Sequence, residues 1–132
     1  MMLTHSLKTV PLRLTLLADS VVCAATSALM LAGAGPLADL LDLPASLLRG
    51  AGLLLVPNVA YLAVLLRRDR IPAGGLRAAI GINLAWAIGC VALLLSGQVT
   101  PNALGVAFVL VQVAAVLVFA ELQLVGLRTG NA

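Results

Sequence analysis

The sequence predicts an all-α polytopic membrane protein: four transmembrane helices in an up-down bundle with short loops. Three observations carry that reading. The 132 residues are 62% hydrophobic and only 10% charged, with a mean hydropathy of +1.14, so the chain lacks the polar residues that cover a water-soluble domain. Its apolar residues fall into four stretches, each about 20 residues long, the length that crosses the hydrocarbon core of a bilayer. The stretches are continuous, whereas the strands of a membrane barrel alternate apolar and polar residues. Length allows one domain, so 1–132 reads as a single transmembrane unit.

The first span is expected over 14–34. Lys8 and Arg13 give it a basic front, and Ala32-Gly33-Ala34 has the small residues of a signal-peptidase site. Asp19 interrupts the apolar run, however, and the run is long for a secretory h-region, so a retained span is expected. The loop that follows, "GPLADLLDLPAS" (35–46), places Leu37, Leu40 and Leu41 on one side with Asp39 and Asp42 displaced from it. That pattern predicts a short amphipathic turn at the membrane interface.

The second span is expected over 47–66 and ends in the charged run Arg67-Arg68-Asp69-Arg70. "RRDRIPAGG" then reads as a tight connection to a third span over 78–96. Between Arg77 and Glu121 no charge occurs, which is too long a stretch for one span. "SGQVTPN" (96–102) breaks it, with Gly97 as a stop and Thr100-Pro101 as the start of a fourth span over 103–127.

Of the eight Lys and Arg residues, all but Arg49 fall on one side in this layout. The positive-inside rule then predicts cytoplasmic N- and C-termini. The net charge of +3 is read as an orientation signal, and no nucleic-acid partner is expected. Cys23 and Cys90 lie inside spans with no CxxC or Cys/His cluster, so neither a disulfide nor a metal site is expected. His5 is the only histidine and lies in the N-terminal arm. There is no nucleophile–base pair, ligand set or phosphate loop, so no enzymatic activity and no cofactor are expected.

Polar residues inside spans are costly and are candidate functional groups. Asp19 and Asn83 each lie six residues after an arginine, Tyr61 six before one, and Glu121 seven before Arg128. At about 1.5 Å per residue all four sit at a common depth, and Asn58 joins one turn from Tyr61. The expectation is an intramembrane polar layer of Asp19, Asn58, Tyr61, Asn83 and Glu121, in which Asp19 and Glu121 share a proton while Tyr61 and Asn83 donate hydrogen bonds. On the fourth helix Gln112 aligns with Phe119 and Gln123, about half a rotation from Glu121. Gln112 and Gln123 are therefore expected to face a partner. Gly81, Ala85 and Gly89, spaced by four, make a close-packing ridge opposite Asn83. Ser20, Ala24, Ala28 and Ala32 make a second ridge. A faint internal echo aligns 17–33 with 81–97 and pairs Asp19 with Asn83.

Two stretches carry a resemblance. "LLADSVVCAATSALML" (16–31) and "LAWAIGCVA" (84–92) loosely resemble the first and third helices of the small multidrug resistance transporters. That likeness implies a dimeric, proton-coupled small-molecule transporter using Asp19, Glu121 or both. The chain departs from that family in having Asp19 where the family has a glutamate, in meeting its third-helix glycine pattern only in part, and in carrying Glu121. Over its full length, including "AELQLVGLR" (120–128), the chain resembles small four-helix bacterial inner-membrane proteins, a functionally uncharacterised group that lends its layout. The leading functional expectation is a non-catalytic accessory or interaction subunit in the bacterial inner membrane. Its partners would be the lipid bilayer and either further copies of itself or a larger membrane complex.

Overall fold

A computed structural model describes residues 11–129; the readings of His5 and Lys8 lie outside the described residues. Five helices run in order: α1 (Leu12–Ala32), α2 (Ala34–Leu41), α3 (Ala45–Arg67), α4 (Ala73–Leu95) and α5 (Ala103–Thr129). All but α2 are long and apolar enough to cross a membrane. The protein is a four-helix membrane bundle with up-down connections.

The helices occupy the corners of a square in the order α1, α3, α4, α5. Two sides are closely packed, α1 on α3 and α4 on α5. The side between α1 and α5 is looser, and α3 approaches α4 sparsely. The α1 and α4 backbones, on one diagonal, stay more than 8 Å apart. The bundle is thus two helix pairs joined across seams, with side chains filling its centre.

Small residues set the close side of the square. Gly52 lies so near α1 that an added Cβ would sit 3.2 Å from the Cβ of Met30 and 3.0 Å from Leu31, and Ser27 Oγ donates to Gly52 O at 2.8 Å. This is how membrane helices associate without a hydrophobic gradient, through close approach plus a hydrogen bond. The expected ridges do not perform this role. Gly81, Ala85 and Gly89 are exposed, and a Cβ on Gly81 or Gly89 would meet nothing within 4 Å. Ala24, Ala28 and Ala32 are exposed as well.

One end of the bundle is tied together by basic and polar groups. Arg13, in the first turn of α1, donates to Leu66 O at 3.0 Å, to Asp69 O at 2.6 Å and to Arg68 O. It places a cation on the orphan carbonyls at the end of α3. Tyr61 Oη donates to Gly75 O at 2.6 Å, and Leu12 packs where Gly126 has no side chain. At the other end Asn102 holds α2 against α5. Its Nδ2 donates to Leu40 O at 2.8 Å, and its Oδ1 accepts from Gly105 N at 2.8 Å. Asn102, rather than Thr100, therefore caps α5: its side chain satisfies an orphan N–H of the first turn.

Helix α4 begins at Ala73, five residues before the expected span, because Pro72 fits the entry to a helix and the Gly74-Gly75 pair is helical here. The first loop contains the helix α2, with Leu41 buried and Leu40, Asp39 and Asp42 exposed. Pro57 lies within α3, where a bilayer-spanning helix tolerates it.

Candidate functional site

A buried polar cluster lies at the centre of the bundle. Asp19 is 1% exposed, Asn83 2% and Gln123 0%. Asn83 Nδ2 donates to Asp19 Oδ2 at 3.2 Å and to Gln123 Oε1 at 3.1 Å, and Gln123 Nε2 donates to Asp19 Oδ2 at 2.8 Å. Three helices therefore contribute one residue each to a closed ring of hydrogen bonds. The Asp19–Asn83 bond crosses the α1–α4 diagonal, which the backbones do not.

A second chain of bonds reaches α3. Cys23, one turn along α1 from Asp19, donates its thiol to Asp19 Oδ1 at 3.4 Å. Asn58 Nδ2 donates to Cys23 Sγ at 3.5 Å. Each of the four long helices thus sends a polar side chain to the centre: Asp19 and Cys23 from α1, Asn58 from α3, Asn83 from α4 and Gln123 from α5. The carboxylate of Asp19 is held by two amides and a thiol, all neutral.

The expected layer is brought together only in part. Asp19, Asn58 and Asn83 converge. Tyr61 does not join them: its hydroxyl donates to Gly75 O in the first turn of α4, where the missing side chain of Gly75 leaves room for it. Glu121 does not join either; it is exposed. Gln123, two residues on, lies about 200° around the helix from it and fills the interior. The expected roles of the two α5 faces are thus reversed. Gln123 meets Asp19 instead of a partner. Gln112 faces inward too, and its Oε1 accepts from Trp86 Nε1 at 3.1 Å. The incompatibility of Gln112 and Glu121 on one interior is legible from spacing alone. Which face turns inward is decided by packing: Gly126 on Leu12 and Gly105 on Leu41 fix the rotation of α5.

Two cavities flank the cluster. One, of about 90 Å³, runs between α1, α4 and α5, and is lined by Asp19, Thr26, Trp86, Gln112 and Phe119 among otherwise apolar walls. The other, of about 40 Å³, lies at the sparse α3–α4 seam and is lined by Asn58, Asn83, Ile82 and Leu54. Cys23, Leu55, Trp86 and Val116 border both. Burial of a carboxylate against small cavities in a membrane bundle is a costly arrangement, and such groups are functional candidates by default.

No family model matches the chain, and no curated protein or solved structure is similar to it.

Proposed function

We propose that this is a bacterial inner-membrane protein with cytoplasmic termini that works as a non-catalytic interaction or accessory subunit, associating with further copies of itself or with a larger membrane complex. The observation that carries the reading is the outward face of the α4–α5 pair. Glu121 is an exposed carboxylate within a span, and Gly81, Ala85 and Gly89 form a small-residue ridge on α4 that none of the described residues covers. Lipid is a poor surrounding for the first, and small-residue ridges are the usual contact surface between membrane helices. The test is to tag the chain, extract it in mild detergent and identify stoichiometric companions. A companion, identical or unrelated, is expected, and Gly81→Leu with Gly89→Leu should release it. A monomeric particle with no companion in its native membrane would contradict the reading.

The buried cluster favours a second reading, a dimeric proton-coupled transporter of small molecules. Asp19, rather than the exposed Glu121, would then be the coupling group, since it alone lines a central cavity. Reconstituted vesicles should show a proton flux that Asp19→Asn abolishes and Glu121→Gln spares; no flux with any tested solute gradient would count against it.

A further inference from the structure

We propose that the outer face of the α1–α3 pair binds one anionic phospholipid, with its phosphate on Arg67 and an acyl chain in the groove that leads away from it. A groove of about 430 Å³ runs between α1 and α3. Its walls are small and apolar, with Ala24 and Ala28 on α1 facing Val56, Ala60 and Ala63 on α3, and the four alanines are exposed. Ser27 is the one polar residue of the lining, and it already gives its hydroxyl hydrogen to Gly52 O. The groove therefore offers contact and no directional bond, which suits a hydrocarbon chain. Both walls run into arginines. On α3, Val56, Ala60, Ala63 and Arg67 are spaced by four, three and four residues and share one helix face. Ala63 and Arg67 are neighbours on that face, with about 5–6 Å between their Cβ atoms. Val56 lies about 16 Å from Arg67 along the axis, the depth of one leaflet of a hydrocarbon core about 30 Å thick. On α1, Arg13 stands eleven residues before Ala24, three turns away on the same face.

The charge at this end chooses the headgroup. Arg67, Arg68, Arg70 and Arg77 are exposed, and Asp69 is the only acid in the connection between α3 and α4. The connection is pinned: Ile71 is 5% exposed and belongs to the same core as Leu62, Leu65 and Leu76, so the arginines on either side of it stay at the surface. Arg13 is committed to the carbonyls of Leu66, Arg68 and Asp69. Arg67 enters none of those bonds and stands where the groove ends. A guanidinium there can take two phosphate oxygens at once, and arginine clusters beside membrane helices attract anionic headgroups. A zwitterionic lipid carries its own cation into a cluster of arginines, which opposes it. A helix from a partner would fill the groove and leave Arg67 without an anion. An anionic lipid answers the groove and the charge together. The site needs neither a partner nor transport, and it lies in whichever leaflet meets the arginine end of the bundle.

The test uses the purified full chain in a neutral detergent at fixed pH and ionic strength, titrated with phosphatidylglycerol, with phosphatidylcholine of the same acyl chains, or with inorganic phosphate. Phosphatidylglycerol should raise Tm saturably by about 2–4 °C, as mass action requires of a ligand that binds only the folded state; the other two should not. Arg67→Gln should weaken the lipid's binding about fivefold, and Arg49→Gln, at the opposite end, should leave it unchanged. Ala60→Leu with Ala63→Leu fills the groove and should expel the chain, with a loss at least as large. Native mass spectrometry of the unsubstituted chain in an equal mixture of the two lipids does not depend on the variants folding, and should show one phosphatidylglycerol retained in preference to phosphatidylcholine. Equal retention of the two lipids would overturn the proposal. So would a rise in Tm that inorganic phosphate reproduces, or phosphatidylglycerol binding that survives both Arg67→Gln and the paired leucine substitution. Loss of a companion subunit in the leucine variant with lipid retention unchanged would assign the groove to a helix and overturn it as well.

Discussion

Asp19 carries a carboxylate into a position where every hydrogen-bond partner is neutral. Its cost is offset by two amides and a thiol, and those amides are themselves held by one another. Removing a member leaves the rest unsatisfied. Gln123→Leu takes a donor from Asp19 and an acceptor from Asn83, and should lower stability by about 1–3 kcal/mol, the range for a buried polar group left without its partner. Glu121→Gln, on the exposed face of the same helix turn, should leave unfolding of the detergent-solubilised chain unchanged. Chemical denaturation of both variants checks this; equal sensitivity would show that α5 is rotated from the position described. At this scale the sequence conveys depth well for Asp19 and Asn83, each six residues from an arginine, whereas on α3 the same count selects Tyr61 and the residue that reaches the centre is Asn58, one turn away. It conveys rotation poorly on α5. Gln112, Phe119 and Gln123 share one face and Glu121 lies on another, and nothing in an all-apolar helix says which is inside.

Helix α1 and helix α3 meet through Ser27 and Gly52, and the meeting is close enough to be measured chemically. The Cβ position at 52 lies 3.2 Å from that of Met30, a few tenths of an ångström inside the separation a disulfide takes, about 3.5–4.5 Å, so a small outward shift brings the pair into range. Met30→Cys combined with Gly52→Cys in a Cys90→Ala background should crosslink readily within one chain under mild oxidation. Failure to crosslink would mean that the pair is spaced further apart. Gly52→Leu should lower stability by about 1–3 kcal/mol through overpacking, whereas a leucine at Gly81 meets open space and should alter association alone. The existence and order of the four spans follow directly from hydropathy. Their ends do not. A helix can continue past the apolar run into the headgroup region, which is why α4 begins at Ala73 although its apolar run begins after Arg77. The small-residue ridges at Gly81 and Ala24 were legible as ridges, but the contacts that assemble the chain use single glycines, Gly52, Gly105 and Gly126, which spacing does not distinguish.

The whole molecule is polarised. Arg13, Arg67, Arg68, Arg70, Arg77 and Arg128 gather at one end of the bundle, and Arg49 with Asp39 and Asp42 lies at the other. The proposed cytoplasmic placement of the termini predicts that a cysteine replacing Arg68 reacts with a membrane-impermeant maleimide only in inverted vesicles; labelling in intact cells would reverse the orientation. The bundle's two helix pairs are closely packed within themselves and loosely against each other, so the central ring is the main polar link between them. The most direct test of that claim is a double-mutant cycle in a membrane-protein unfolding assay, with Asp19→Asn and Gln123→Leu as one pair and Asp19→Asn and Glu121→Gln as the other. Contacting residues should couple by about 0.5–3 kcal/mol and independent ones should add. The structure requires coupling between Asp19 and Gln123 and additivity between Asp19 and Glu121. Additivity for Asp19 with Gln123, or coupling of Asp19 to Glu121, would contradict it.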